Sequence, residues 1–274
     1  MVCRGPSRST PVLADSPSII DRREYKFLID RSTAEEVRRA IAPFCELDPF
    51  AATSPNKTYT IDTLYLDTDQ LSLFWANDHE QVDRIKMRVR AYADAPKSPV
   101  FFEVKRRIND VISKSRGRVS RAAWHDVLAD ASAPLPEGLA PKDRVAVERF
   151  VSLARTLRVR PFTLVRYQRE PYFSTIDDYA RVTFDTNIRA HVLDRLSFEP
   201  EGNAWRNLDD AIAQRTLDSL VVLELKFTNH VPLWLVNITQ SLGLVRRAFS
   251  KYGNSIRAFY SPPDHRVPRL GGWA

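Results

Sequence analysis

The chain has 274 residues, 43% hydrophobic and 27% charged, which suffices for one large domain or two small ones with a real core. Its net charge of +7 and pI near 9.5 point to an anionic partner; nucleic acid, polyphosphate, nucleotide and an acidic membrane surface all qualify at this level. Only Cys3 and Cys45 are present, no run of 18 apolar residues exists, and the first residues lack a signal-peptide core, so a disulfide scaffold and a membrane span are excluded and a reducing, cytoplasmic setting is expected.

Residues 1–18 are rich in Ser and Pro and are expected to form a disordered tail. Residues 22–29 (RREYKFLI) read as a strand. Ser32 and Thr33, each followed three residues on by Glu35 or Glu36, offer two overlapping capping boxes. The helix behind them carries Val37, Ile41 and Phe44 on one side, and Pro43 to Pro49 close it. Tyr59 to Asp67 reads as a strand, and Thr68 to Asn77 as a short helix or turn. Two strands follow within Arg84 to Arg107, joined by a polar, Pro-containing turn. Ile112 to Arg121 is basic, with Lys114, Arg116 and Arg118 in phase. Trp124 to Ala129 reads as one or two helical turns, and 131–141 as a Pro-rich loop. Asp143 to Arg158 reads as an amphipathic helix. Thr163 to Gln168 and Tyr179 to His191 read as strands around a loop at Pro171, and 199–216 as irregular or weakly helical. Leu220 to Thr228 is a strong strand. A helix is expected over Leu233 to Phe249 with Pro232 at its first position, then a tail over 261–274. About eight strands without a regular βαβ alternation favour an antiparallel α+β sheet or barrel.

Strand side chains alternate faces. Arg84, Lys86, Arg88 and Arg90 therefore share one face, opposite Ile85, Met87, Val89 and Ala91. Phe101, Glu103, Lys105 and Arg107 oppose Phe102 and Val104. Arg22, Glu24 and Lys26 share a face, as do Arg181, Thr183 and Asp185, and Val222, Glu224 and Lys226. Glu-x-Lys occurs at Glu24, Glu103 and Glu224. A single charged strand face is usually just solvated. Here such faces recur on at least five strands, cations outnumber acids, and few helices are on hand to cover the apolar sides. Closing the sheet with the cations inside would make an anion tunnel. A phosphate chain would relieve its repulsion, and the sparse acids would position a divalent metal. No phosphate-binding Gly loop, zinc spacing or nucleophile elbow competes with that reading.

The residues RREYKFLI (22–29), TLYLDT (63–68), IKMRVRAY (85–92), FFEVKRR (101–107), SKSRGRV (113–119), RYQREPYF (166–173), RVTFDTNIRA (181–190), VVLELKF (221–227), PLWL (232–235) and FSKYGNS (249–255) carry a resemblance. The chain resembles the vacuolar transporter chaperone (VTC) domain, a polyphosphate polymerase domain of the triphosphate tunnel metalloenzyme superfamily. The resemblance implies one domain over 19–260, an eight-stranded antiparallel barrel, or tunnel, with a basic interior and flanking helices. It implies that Lys26, Arg88, Arg90, Lys105 and Lys114, with Arg169 and Arg181, line the tunnel and bind phosphate. Glu224 would bind Mn²⁺ or Mg²⁺, with Lys226 beside it and Ser250 and Lys251 closing the phosphate site. Lys86, Arg116, Glu24 and Glu103 are in phase with these. Hydrolytic tunnel enzymes resemble one another in an N-terminal Glu-x-Glu-x-Lys, whose first position here is Arg22, which suits another phosphate and disfavours hydrolysis.

The implied activity is ATP-dependent polyphosphate polymerisation, with tripolyphosphate or nucleoside triphosphate hydrolysis and non-catalytic polyphosphate binding as alternatives. ATP and inorganic polyphosphate are the expected partners. Eukaryotic relatives carry the domain in a membrane complex, which adds a membrane-protein partner to the expectations. Nucleic acid is not expected, because the basic faces lack clear interleaved aromatics for stacking. Tyr25, Tyr167 and Tyr252 read as packing residues, and Asp67 and Asp185 as caps or partners of Arg.

Overall fold

The computed structural model describes residues 23–109, 111–129, 134–177, 179–228 and 230–260. Arg22 and the two expected tails lie outside the described residues. In chain order the elements are β1 (Arg23–Ile29), α1 (Arg31–Ile41), β2 (Cys45–Leu47), α2 (Pro49–Ala52), β3 (Tyr59–Asp67), α3 (Ser72–Asp78), β4 (Asp83–Tyr92), β5 (Val100–Ile108), β6 (Val111–Val119), α4 (Trp124–Ala129) and α5 (Pro141–Leu157). There follow β7 (Arg160–Ser174), β8 (Ala180–Val192), β9 (Arg206–Asn207), α6 (Ala211–Gln214), β10 (Val221–Phe227), α7 (Leu233–Ser241) and α8 (Lys251–Phe259).

Eight strands form one antiparallel path, β1-β10-β8-β7-β3-β4-β5-β6, with β2 on β7 and β9 on β8. The path curls strongly. β1 and β5 are six strand spacings apart, about 29 Å in a flat sheet, yet the Lys105 ammonium on β5 acts on the Glu24 carboxylate of β1. The result is a half-barrel whose end strands, among the described residues, do not pair with each other. The edge of β1 is covered by its own chain: Phe27 bridges Arg246, and Arg247 N donates to Lys26 O at 3.0 Å.

Helices pack on the convex face in two groups. Val37 and Ile41 of α1 and Trp234, Leu235 and Ile238 of α7 bury Phe27, Val182, Leu223 and Leu225. Trp124 and Val127 of α4 and Val147, Phe150 and Val151 of α5 bury Met87, Val89, Phe102 and Val104. The rings of Phe102 and Phe150 stand 5.0 Å apart. The convex apolar side is thus hidden by helices, contrary to the expectation that too few were available. Gly117 of β6 permits the approach of α5: a Cβ there would stand 2.7 Å from Val147 Cγ2 and 2.9 Å from Asp143 O.

Four local expectations are corrected. The cap of α1 is Asp30, whose Oδ1 accepts from Thr33 N at 2.7 Å and Ser32 Oγ at 2.6 Å, so the Ser/Thr boxes are not used. Cys45, expected near a helix end, lies in β2, where burial pushes its thiol up to about 12. β7 runs through Pro171 instead of looping there. β3 leaves β7 at Arg169 and β2 joins it at Tyr172, so Pro171 sits at the changeover, where a missing N–H breaks no ladder. Finally, the helix expected over 233–249 stops at Ser241 with Gly243 at φ +57, Pro232 is its cap, and α8 starts at Lys251 with Ser250 as N-cap.

Candidate active site on the concave face

Register determines which side chains the curl gathers. Lys26 opposes Glu224, and Glu24 opposes Lys226. Glu224 opposes Thr183, and Lys226 opposes Arg181. Arg169 opposes Asp185 and Tyr59. Thr63 and Tyr65 oppose Arg90 and Arg88. Arg88 and Lys86 oppose Glu103 and Lys105, which in turn oppose Arg116 and Lys114. Directly paired side chains share a face, so every expected site residue within the described strands lies on the concave side. The start of α8 spans that side. Lys251 Nζ donates to Asp185 Oδ2 at 2.5 Å and to Glu224 Oε1 at 3.4 Å. Lys86 Nζ reaches Ser250 Oγ, and Lys26 Nζ reaches Phe249 O, each at 3.4 Å.

The charges fall into two centres, each built on a buried carboxylate. Glu224 sits among Lys226 (2.7 Å), Arg169 (3.2 Å), Lys26 (3.4 Å) and Lys251 (3.4 Å). Burial pushes its carboxyl up, but these four cations outweigh it and hold the group well below the carboxylate range. Asp185 is held low in the same way, against its burial, by Arg169 and Lys251. Arg169 reaches it in a two-pronged contact of 2.6 and 2.7 Å. Burial pushes Lys26 down, and Glu224 and Glu24 more than restore it, so it is charged at any ordinary pH. Burial pushes Glu24 up, while Lys26 at 3.1 Å leads the attractions that bring it to about 2.

The second centre is Glu103, which is 1% exposed. Arg88 Nε donates to it at 2.6 Å, and Arg116, Lys114 and Arg90 lie at 3.4, 3.7 and 3.8 Å. Burial again pushes the carboxyl up, and Arg88 and Arg90 lead the cations that hold it far down. Its role here is to gather guanidinium groups.

Three buried polar atoms on this face have no hydrogen-bond partner among the described residues: Thr63 Oγ1, Thr183 Oγ1 and Arg90 Nε; Glu103 Oε1, also without a hydrogen bond, is held in the ion pairs with Arg116 and Lys114. A buried orphan costs about 1–3 kcal/mol. Three donors of this kind on one face mark a surface built to meet a polar ligand. Thr63 and Thr183 were not among the expected site residues, although alternation puts Thr183 on the charged face with Arg181 and Asp185; their register beside Arg90 and Glu224 brings them into the site. Asp185 pairs with Arg169, and Asp67 anchors α3 by accepting from Leu73 N and Phe74 N at 2.8 and 2.7 Å. Tyr25 packs on Phe227 at 4.8 Å, and Tyr252 stacks on Tyr65 at 4.8 Å. Arg181 is exposed at the rim, stacked over Phe173 at 4.5 Å.

The structure does not bring the three expected metal-binding carboxylates together. Glu24 and Glu224 share Lys26, while Glu103 belongs to the other centre. Among the described residues no group of three or more Asp, Glu, His or Cys is arranged to hold an ion. The donor set therefore fits Mg²⁺ or Mn²⁺ only in the manner of one or two carboxylates completed by phosphate oxygens and water. A cavity of about 350 Å³ lies elsewhere, lined by Arg31, Arg166, Gln168, Asn187, Arg189 and Asp209 among others. Its Arg166 is already taken up by Asp62 at 2.6 and 2.8 Å, so the concave face remains the better candidate.

A family model described as "VTC domain" matches residues 21–260. The chain belongs to the VTC domain family. No curated protein matches it. Solved structures with a similar course include a "putative adenylate cyclase" from Bacillus halodurans at 13% identity, covering 89% of this chain and 98% of that one with a TM-score of 0.47. A Pyrococcus horikoshii protein matches at 12% identity over 86% and 98%, with a TM-score of 0.41. A second "putative adenylate cyclase", from Vibrio parahaemolyticus, matches at 10% over 86% and 97%, with a TM-score of 0.43. VTC domain membership and the curled basic sheet agree on a tunnel-type domain for phosphoryl chemistry. No helix among the described residues is long and apolar enough to cross a membrane.

Proposed function

We propose that this VTC domain is a polyphosphate polymerase that transfers the γ-phosphoryl of ATP to the end of a polyphosphate chain. The observation that carries the proposal is the concave face itself: two carboxylate-centred groups of cations with unpartnered hydroxyls between the strands that bear them. Phosphoryl transfer needs in-line positioning and charge stabilisation more than covalent help. The attacking group is a phosphate terminus that is already anionic, so no side-chain base is required. Among the described residues, the ion pairs of the two centres are made by Lys, Arg, Asp and Glu.

In this reading Arg88, Arg90, Lys105, Lys114 and Arg116 hold one phosphate run against β4, β5 and β6. Lys26, Arg169, Arg181, Lys226, Ser250 and Lys251 hold the other from β1, β7, β8, β10 and α8. Thr63 and Thr183 donate to phosphate oxygens. Glu224 and Glu24 would hold Mn²⁺ or Mg²⁺ together with those oxygens, and the ion would neutralise charge on the bridging and transferring phosphates. Glu103 keeps Arg88 and Arg90 aimed inward, so that little reorganisation is needed during transfer.

The test is an incubation of purified protein with ATP and Mn²⁺, with and without a short polyphosphate primer. ADP, free phosphate and chain length are followed together, beside a Glu224→Gln control. ADP formed with chain growth and little free phosphate supports the polymerase. Free phosphate equal to ADP would make the chain a triphosphatase. Binding without turnover would make it a polyphosphate-binding module.

A further inference from the structure

Every cation named so far in the two centres faces a carboxylate. Lys86 is different. It projects from β4 onto the concave face directly opposite Lys105 of β5. It donates to Ser250 Oγ at 3.4 Å, at the head of α8. Among the described residues no carboxylate lies within ion-pair distance of it. Charged neighbours approach from each side: Arg84 and Arg88 on its own strand, Lys105 on β5 and Lys26 on β1. That contact sets Lys86 against the segment 249–251, where Lys26 also reaches Phe249 O. The charges that act most strongly on Lys86 are thus all positive.

We infer that Lys86 is a proton-coupled phosphate contact, which sheds its proton in the ligand-free protein above neutral pH and regains it when an anionic phosphate group arrives between Lys86, Lys105 and Ser250. The inference rests on the reading of the concave face as a phosphate-chain site and adds a feature that the reading does not require. The physical cause is direct. Burial, then the fields of Lys26, Lys105, Arg88 and Arg84, all disfavour the charged form and bring the group down to about 7. A phosphate placed among those cations cancels their field and restores the ammonium, which then donates to the phosphate. Ligand binding must therefore take a proton from solvent wherever the pH exceeds about 7. In the ligand-free state an uncharged Lys86 also reduces the repulsion that crowding like charges would impose.

The experiment is calorimetric titration of tripolyphosphate into the whole chain at pH 6, 7 and 8, each in two buffers of different ionisation enthalpy. The wild type is compared with Lys86→Arg, whose side chain stays charged throughout. The ligand's own titration is common to both proteins and cancels in the difference. At pH 8 the wild type should take up close to one proton more than Lys86→Arg, and at pH 6 almost none. The ratio of wild-type to variant Kd should grow roughly five-fold from pH 7 to pH 8. Equal proton counts in the two proteins at pH 8 would overturn the inference and leave the phosphate-chain reading standing. No binding by wild type at any of these pH values would remove that reading and this inference with it. Should Lys86→Arg fail to fold, Lys86→Met, which carries no titrating group at that position, takes its place as the reference: a proton-count difference that does not rise between pH 6 and pH 8 rejects the inference.

Discussion

Glu103→Gln isolates the logic of the concave face. Glu103 is 1% exposed and is the only carboxylate within reach of Arg88, Arg90, Lys114 and Arg116 among the described residues. Lys114 and Arg116 have side chains 51% and 38% exposed, so water screens their share and they contribute little. Arg88 and Arg90 are the less exposed partners, and breaking a buried pair costs about 3–5 kcal/mol. Glutamine keeps an oxygen that can accept from Arg88, so the lower end applies, roughly 3 kcal/mol. For a domain of this size that is a fall of about 6–12 °C in melting temperature. Glu103 also repels an incoming phosphate, so its neutralisation should raise affinity for one. Thermal melts in phosphate-free buffer, with and without tripolyphosphate, read both effects. Glu103→Gln should melt lower than wild type without ligand and gain more on adding it. A loss below about 2 °C, or a ligand gain no larger than that of wild type, would refute the reasoning.

Other expectations follow from single contacts. Asp30→Ala removes the α1 cap and should cost about 1 kcal/mol, or about 2–4 °C by calorimetry. Gly117→Ala forces α5 away from β6 and should cost about 1–3 kcal/mol in denaturant titration, with an unchanged m-value. The folded-state pKa of Glu24 is depressed to about 2, and those of Glu103 and Glu224 lie well below 4.5. Their contribution is therefore complete above about pH 4.5 and is lost as pH falls through the folded values. Melting temperature should decline steadily between pH 4.5 and pH 2, and neutralising Glu103 should flatten that decline. Glu224→Gln should lower turnover with ATP and Mn²⁺ by at least about 100-fold, without abolishing tripolyphosphate binding.

Alternation makes the concave face legible in the sequence. Lys86, Arg88 and Arg90 against Met87 and Val89 could be assigned to opposite sides from the period of two alone, as could Glu224 and Lys226 against Leu225. The repeated Glu-x-Lys pointed to β1, β5 and β10, but not to which acids share a centre. That depends on register across the curl, which joins Glu24 to Glu224 through Lys26 and leaves Glu103 apart. Thr63 carries no charge and sits in an ordinary β-rich run, so nothing local marked it; Thr183 shares the charged face of its strand with Arg181 and Asp185, but a hydroxyl there reads as filler until its lack of a partner is seen. Pro171 misled because its tolerance depends on a change of neighbouring strands that the local sequence does not encode. The helix expected over Leu233 to Phe249 was carried past its true end, and only the left-handed turn at Gly243 shows that the chain breaks there to deliver Ser250 and Lys251.

The central claim is that the curled basic face, and not the cavity beside Arg31 and Arg189, takes up a phosphate chain. A crystal structure of the protein with tripolyphosphate tests it most directly. Phosphate groups are expected along the concave face, with oxygens in hydrogen-bond range of Arg88, Arg90, Lys105, Lys86 and the hydroxyl of Thr63. An ordered ligand in the outer cavity with an empty concave face would contradict the account.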